Sequence, residues 1–401
     1  MKLVVVTQGF WSDEGQANAT REVTKELVKL GVELVAVIHT DRCVDHLQEP
    51  FPNRSPMSIA SESLLLSRPP LKYYSLCARA ATSLRFLKQD LDSDCIIHCH
   101  NLIPSAFLDT DKNRMKAQFL TTLHGTPNGE VERFARELPV HPRELPYRLA
   151  YISTFYVLRY LLKRIKGHVV ALSPRNASEF TRIGLAESRI HVIPNGVDLE
   201  FLNSYDKTAT KKRLDLPPNK PIVSTISEIQ PRKGLHTLIR AAHDIVREMP
   251  DVHFLVIGRV PSNELWYMSY LRKQLQKFDL TDHFDFRGFV PKSELPLYLN
   301  ATDLFTLASY SEGAPLVIPA AMASGCMIVA TQSAAGGYLP PNLVVENGNH
   351  KELGKRISFH LSDLRQCVSI GSQLKQKAIN ELSWANIAKR TLGVYKELLG
   401  A

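Results

Sequence analysis

Residues Leu304 to Ala330 read LFTLASYSEGAPLVIPAAMASGCMIVA. Leu304–Leu307 is a short apolar run of buried-strand type, and Ala308 to Pro315 is a polar, glycine-containing loop. Leu316 to Ser324 has the spacing of a helix, and Gly325 stops it before a second apolar run, Met327–Ala330. Two short apolar runs joined by a helix form the unit from which parallel sheets are built. The same alternation extends in both directions. Before it come Leu3–Val6, Leu34–Ile38, Cys95–His98, Phe119–Leu123, Val169–Leu172, Ile190–Ile193, Ile222–Ile226, His253–Ile257 and Asp285–Arg287. A helix over Asn18 to Leu30, stopped by Gly31, separates the first two. The pattern is that of an α/β protein with doubly wound parallel sheets.

The chain has 401 residues, enough for two such sheets, each with its own core. A break is expected at Pro194-Asn195-Gly196-Val197-Asp198, where Pro and Asn-Gly interrupt regular structure before a polar, basic stretch. The expected division is therefore 1–196, 197–381, and a closing helix over 382–401 with Trp384 near its start. With 44% apolar and 22% charged residues the composition is globular, which excludes disordered and fibrous classes. Met1 to Val6 is better read as a buried first strand than as a leader, because Gln8, Asp13 and Glu14 follow so soon. The cysteines at 43, 77, 95, 99, 326 and 367 have no framework spacing and fit reduced thiols in a cytosol. Cys95, His98, Cys99 and His100 are metal-ligand types, but consecutive strand residues face opposite sides, so no metal is expected there.

A net charge of +9 favours anionic partners such as nucleotide diphosphates and acidic membranes. No zinc-finger, RNA-recognition or helix-turn-helix signature is present, so nucleic acid is not an expected partner. Two segments are both basic and aromatic: Arg68 to Lys88 and Tyr147 to Lys166. The second, with Arg148, Arg159, Lys163, Arg164 and Lys166, suits either an amphipathic helix on an anionic bilayer or a packed helix with a solvated face.

Ligands of parallel sheets bind at the C-terminal ends of the strands. Four loops there carry chemistry. Gly9 to Gln16 follows the first strand; a glycine there allows close approach to a phosphate, though a plain strand-helix turn reads equally well. Leu123-His124-Gly125 places a histidine at a strand end, in a ligand-binding or a structural role. Glu228 to Gly234 presents the adjacent cations Arg232 and Lys233, suited to a diphosphate or to a solvated turn. Glu312 in the loop of Ala308 to Pro315 either accepts hydrogen bonds from sugar hydroxyls or caps a helix.

On these residues the sequence resembles the retaining glycosyltransferases of family 4, which have the GT-B fold. The resemblance runs through HCHNLIP, LTTLHGTP, VVALSPRNASEF, IHVIPNGVDLEFLN, PRKGLHTLIRAA, HFLVIGR, the segment from Phe286 to Thr331, and the closing ELSWANIAKRTLGVYKELL. It implies two Rossmann-like domains facing a central cleft, with a nucleotide-sugar donor held mainly by the second and a final helix returning to the first. It implies that Lys233, with Arg232, neutralises the donor diphosphate and that Gly15 lies against the phosphates. Glu312, Gly313, Ala314, Pro315, Leu316, Gly258 and Val290 would contact the donor sugar and nucleotide, and His124 would stand with Glu312 at the reaction centre. No cofactor or metal is implied. The acceptor would be a glycan or a lipid-linked sugar in envelope or surface polysaccharide synthesis, reached from the cytosol at the inner face of the membrane.

Two positions depart from the family pattern. Glu228 stands where an arginine is usual, five residues before the lysine, and Ala320 stands where a second glutamate grips the ribose. An acidic Glu228 would repel a diphosphate unless it points away, with Arg232 or Arg259 supplying the missing charge. Loss of a ribose contact weakens donor binding by about 1–3 kcal/mol. Two other functions therefore stand beside transfer: a GT-B protein that only binds or partners, and another GT-B enzyme such as a nucleotide-sugar epimerase.

Overall fold

The computed structural model describes residues 1–7, 15–39, 57–60, 93–100, 116–125, 156–157, 159–198 and 205–400. The loop over 8–14, the basic segment Arg68 to Lys88, the start of the segment Tyr147 to Lys166, and Cys43 and Cys77 lie outside the described residues. The chain forms two compact units. Met1–Pro127, Ser153–Gly196 and Trp384–Ala401 belong to the first, and Val197–Ser383 to the second.

The first unit is built on a sheet of seven strands: β1 (Lys2–Thr7), β2 (Glu33–His39), β3 (Met57–Ala60), β4 (Cys95–His100), β5 (Gln118–Leu123), β6 (His168–Ala171) and β7 (Ile190–Val192). Their order is β3-β2-β1-β4-β5-β6-β7 and every pairing is parallel. The second holds a six-stranded parallel sheet of β8 (Ile222–Ile226), β9 (His253–Ile257), β10 (Phe284–Gly288), β11 (Leu304–Leu307), β12 (Met327–Thr331) and β13 (Val344–Val345). Its order is β10-β9-β8-β11-β12-β13. Both sheets thus reverse direction of build, at β1/β4 and at β8/β11, which is where doubly wound folds bind ligands.

The strands are apolar almost throughout because both faces are covered. In β4, Cys95, Ile97 and Cys99 enter one core with Val4, Val6, Ala36, Ile38 and Phe119. The alternate residues His98 and His100 face the other side, as strand pleating requires. In the second unit one large core joins Val223, Phe254, Phe305, Ile328 and the helix Leu235–Glu248. Each such fully buried side chain contributes about 1.5–3 kcal/mol.

Several ends follow from local chemistry. Ser173 caps the helix Pro174–Ile183 by accepting from the amide of Asn176 at 3.2 Å, and Gly184 closes it at φ 112°. The helix after β1 begins at Gly15, three residues before the start expected at Asn18, so Gly15 is its exposed first residue and not a loop residue. Glycine and the lack of an acidic first turn hide this start from the sequence. Gln16 in that first turn donates from Nε2 to the carbonyl of His100 at 2.5 Å, tying it to β4.

The closing helix, Trp384–Leu399, packs in the first unit against Gly15–Lys29. Trp384 lies so close to Gly196 that a Cβ there would come within 2.5 Å of the indole, so only glycine fits. In the second unit, the carboxylate of Asp303 gathers three elements. It accepts from Lys207 and Lys211 at 2.9 and 2.8 Å and from the amide of Ile222 at 2.9 Å. Burial opposes its charge, but the two lysines and the amide outweigh that and hold its pKa below the ordinary value.

Candidate functional site

The predicted residues fall into two groups. Arg232, Lys233, Gly258, Val290 and Glu312 to Leu316 lie in the second unit, and Gly15 and His124 in the first.

In the second unit, β8 ends at Ile226 and the chain turns through a short 3₁₀ segment, Pro231–Lys233. Gly234 then takes a left-handed conformation, φ 69°, and starts the helix Leu235–Glu248. A Cβ on Gly234 would lie 2.0 Å from the carbonyl oxygen of Ala308, so glycine is required for the loops after β8 and β11 to touch. The amide of Tyr310 donates to the carbonyl of Arg232 at 2.8 Å, joining those loops. This juxtaposition brings Lys233 Nζ to 2.6 Å from Glu312 Oε1, and Arg232 Nη1 to 3.7 Å from Glu312 Oε2. Ser309 Oγ donates to Glu312 Oε1 at 2.7 Å. The Glu312 side chain is 7% exposed and that of Lys233 13%. Burial pulls the Lys233 pKa below the usual lysine value, partly offset by Glu312. Burial works the other way on Glu312, but Lys233 and Arg232 outweigh it and hold the carboxyl below its usual range.

Further bonds stiffen the loop after β11. Thr331 Oγ1 donates to the carbonyl of Ser309 at 2.6 Å, and Asn347 Nδ2 to that of Tyr310 at 3.1 Å. Tyr310 hydroxyl and Thr237 Oγ1 are 3.0 Å apart, and the His236 ring stacks on Tyr310. Glu228 lies beside this cluster but is engaged by its own partners. Arg259 Nε donates to it at 2.7 Å and Gln230 Nε2 at 2.5 Å. Its charge is therefore compensated, and Arg259 is occupied in doing so. Gly258, at φ 149°, follows β9 where a Cβ would meet the carbonyl oxygen of Ser227 at 1.8 Å. Val290 packs in a small core under β8 and β9, with Ile222, Leu255 and Tyr298. Ala320 is buried in the helix Val317–Ala323 and belongs to the main core.

In the first unit, His124 follows β5 and is half-buried. Its Nε2 is 3.3 Å from Nδ1 of His100 at the end of β4. The ring of His98 lies 4.2 Å from that of His100, and its nitrogens bond the Tyr395 hydroxyl and Thr122 Oγ1, each at 2.7 Å. Burial lowers the pKa of all three imidazoles, to about 4 for His124, to about 3 for His98, and well below the usual value for His100. All are neutral at neutral pH. Sequence reasoning missed His98 and His100 as neighbours of His124. The signal was a His-x-His at the end of a buried strand, weighed as a set of metal ligands and set aside in favour of a strand with polar residues at its end. Nothing in the sequence points to Tyr395, 297 residues from His98.

Among the described residues one set of metal-type side chains converges: ligand atoms of His168, His191 and Glu397 lie within 4.8 Å of one another. A hydrogen bond of 2.8 Å between His168 Nδ1 and His191 Nε2 accounts for that imidazole pair by itself.

Two family patterns match the chain. "Glycosyltransferase Family 4" covers residues 14–201, and "Glycosyl transferases group 1" covers residues 206–377. Among curated proteins the chain is similar to the D-inositol 3-phosphate glycosyltransferase of Nocardia farcinica, 27% identical over 58% of this chain and 52% of that one. The chain thus spans about half the length of that relative. Among solved structures it is similar to sucrose-phosphate synthase from Thermosynechococcus elongatus, with TM-score 0.79 and 18% identity over the whole of both chains. It is also similar to Anabaena HepE in complex with UDP, with TM-score 0.76 and 19% identity over 99% of this chain and 100% of that one. Two parallel sheets that each reverse at a ligand-type edge, GT-B neighbours along the full length, and two adjacent patterns that account for both halves make this chain a member of glycosyltransferase family 4, with the GT-B fold.

Proposed function

We propose that the protein transfers a sugar from a nucleotide diphosphate-sugar to a glycan or lipid-linked acceptor, with retention of anomeric configuration and no metal ion. The observation that carries this is the ion pair of Lys233 and Glu312, 2.6 Å apart at the β8/β11 reversal with Arg232 beside it. Two fixed cations next to a carboxylate suit the two ends of such a donor. Lys233 and Arg232 stabilise the charge that develops on the departing diphosphate, a role usually worth more than any other single effect in such sites. Glu312, with the backbone of Gly313 to Leu316, accepts hydrogen bonds from the sugar hydroxyls. The bond from the anomeric carbon to the diphosphate oxygen breaks. The acceptor oxygen bonds to the same face, and its proton passes to the departing phosphate. His124 stands at the reaction centre as a neutral imidazole, and Gly15 lies against the phosphates.

The acceptor is proposed to belong to envelope or surface glycan synthesis, met from the cytosol at the inner face of the membrane. Among the described residues no helix is long and apolar enough to cross a bilayer. Contact with an anionic surface would run through the helix around Arg159 to Arg164. There Tyr156 and Tyr160 are 66% and 59% exposed, and Arg164 donates to the Tyr160 hydroxyl at 2.8 Å.

Donor hydrolysis and transfer, measured with a panel of nucleotide sugars for wild type, Lys233→Ala and Glu312→Gln, test the assignment. Full rates in both variants would remove these residues from the site. Ala320, buried where the family carries a ribose-binding glutamate, favours a second reading as a binding subunit. Calorimetry that detects no nucleotide or nucleotide sugar would select it. Unchanged turnover after chelation is expected; loss restored by a divalent ion would end the metal-independent scheme.

A further inference from the structure

His124 does not stand alone at the end of β5. Behind it the first unit holds a half-open pocket of about 30 Å³, bordered by His98, His100, Thr122, His124, Asn195 and Trp384. His100 is 2% exposed and reaches His124 from the neighbouring strand, Nδ1 to Nε2 at 3.3 Å. Among the described residues its own Nε2 has no hydrogen-bonding partner, yet the ring borders a pocket with room for one water. His100 is itself held from two sides. Gln16 bonds its carbonyl, and the His98 ring lies against it, anchored to Tyr395 of the closing helix and Thr122 of β5.

We propose that His100 is a positioning residue for His124: by taking Nε2 of that ring it leaves Nδ1 as the nitrogen available to a bound sugar, in one orientation and one tautomer. This rests on the assignment of His124 to the reaction centre. Two neutral imidazoles share one proton across their hydrogen bond, so the tautomer of either ring fixes that of the other. Burial disfavours the charged form of both rings. Among the described residues the groups around the pair are His98, the Tyr395 hydroxyl, Thr122 and Gln16, which are uncharged at neutral pH. The closing helix thereby acts on His124 at second hand. Tyr395 holds His98, His98 backs His100, and His100 orients the ring.

Histidine-resolved ¹⁵N NMR of the full chain tests the pairing without needing turnover. Wild type is expected to show His124 in a single tautomer. His100→Leu should give a mixture of tautomers, with the His124 pKa still held low by burial. His100→Asn, whose amide nitrogen reproduces the position of Nδ1, should restore the single tautomer. In transfer assays His100→Leu should lower kcat by about ten- to a hundredfold with the donor KM nearly unchanged, and His100→Asn should recover most of it. His124 signals that are the same in wild type and in both variants would overturn the proposal. So would a His100→Asn protein no better than His100→Leu in either readout, since that marks a packing role only. His124→Ala, run alongside, separates the two claims. If it keeps full rate while the NMR shows the pair, the pairing stands and the reaction-centre role of His124 falls.

Discussion

The two units place polar side chains at the same kind of address and treat charge in opposite ways. At the β8/β11 edge, side chains keep their charges and satisfy them against each other: Lys233 and Arg232 against the buried Glu312, and the exposed Arg259 against Glu228. At the β4/β5 edge, burial removes charge instead, and His98, His100 and His124 form a neutral hydrogen-bonded set. The difference lies in the partners. A carboxylate with two cations gains enough to stay ionised out of water, whereas imidazoles offered only hydroxyls and other imidazoles gain more by losing a proton. One edge is thus suited to meeting a permanent anion, the other to meeting uncharged hydroxyls.

The sharpest way to break this contrast is Lys233→Ala. A lost cation at a developing diphosphate charge should cost at least about a hundredfold in kcat. Leaving Glu312 with Arg232 alone should also cost about 3–5 kcal/mol of stability, read by urea denaturation. A variant as stable and as fast as wild type would show that the pair is ornamental. Next in size is Gly234→Ala. Its left-handed backbone and the 2.0 Å approach to Ala308 predict a loss of about 3 kcal/mol and a displaced loop, visible as a lower melting temperature and weaker nucleotide binding.

Acid should separate the two edges. The three imidazoles of the first unit have folded pKa values below 6.5, so the unfolded chain binds more protons as pH drops. Their contribution to stability is whole above about pH 6.5 and is lost as pH falls toward 4. Hydrogen exchange at pH 7 and pH 5 should show β4 and β5 losing protection. The Lys233–Glu312 pair should hold until the carboxylates titrate below about 4.5. His236 in the second unit, lowered to about 3, carries a smaller share of the same dependence. Equal loss at both edges would cancel the contrast. The smallest effect is expected for Arg259→Ala. That pair is well exposed, so stability should change by less than about 1 kcal/mol, while donor KM rises as Glu228 is freed toward the diphosphate.

Much of this was legible beforehand, because buried parallel strands are written as short apolar runs. The strands missed were β3 and β13, the second only two residues long, too short for any periodicity. The start at Gly15 was hidden because glycine is a poor helix former and no acidic first turn announced it. Lys233 and Glu312, 79 residues apart, each stood out in a loop at a strand end and more sharply through the family resemblance, but nothing local showed that the two would meet. Glu228 looked repulsive because its compensation comes from Arg259, one strand further along. The His98–Tyr395 bond could not be read at all, since separation along the chain says nothing about which helix returns to which strand.

Asp303 also decides where this chain can be cut. Its carboxylate is buried and answered by Lys207, Lys211 and the amide of Ile222, the first two supplied by the helix Lys207–Arg213 that precedes β8. A recombinant fragment that began at Pro217 would keep every strand of the second sheet yet strand an anion in its interior with one neutral donor. Such a truncation would shed about 3–5 kcal/mol while losing no part of the sheet. The useful left-hand limit for excising this half is therefore set by two lysines on the helix Lys207–Arg213, the farther one at Lys207, well upstream of the strand they protect, which starts at Ile222.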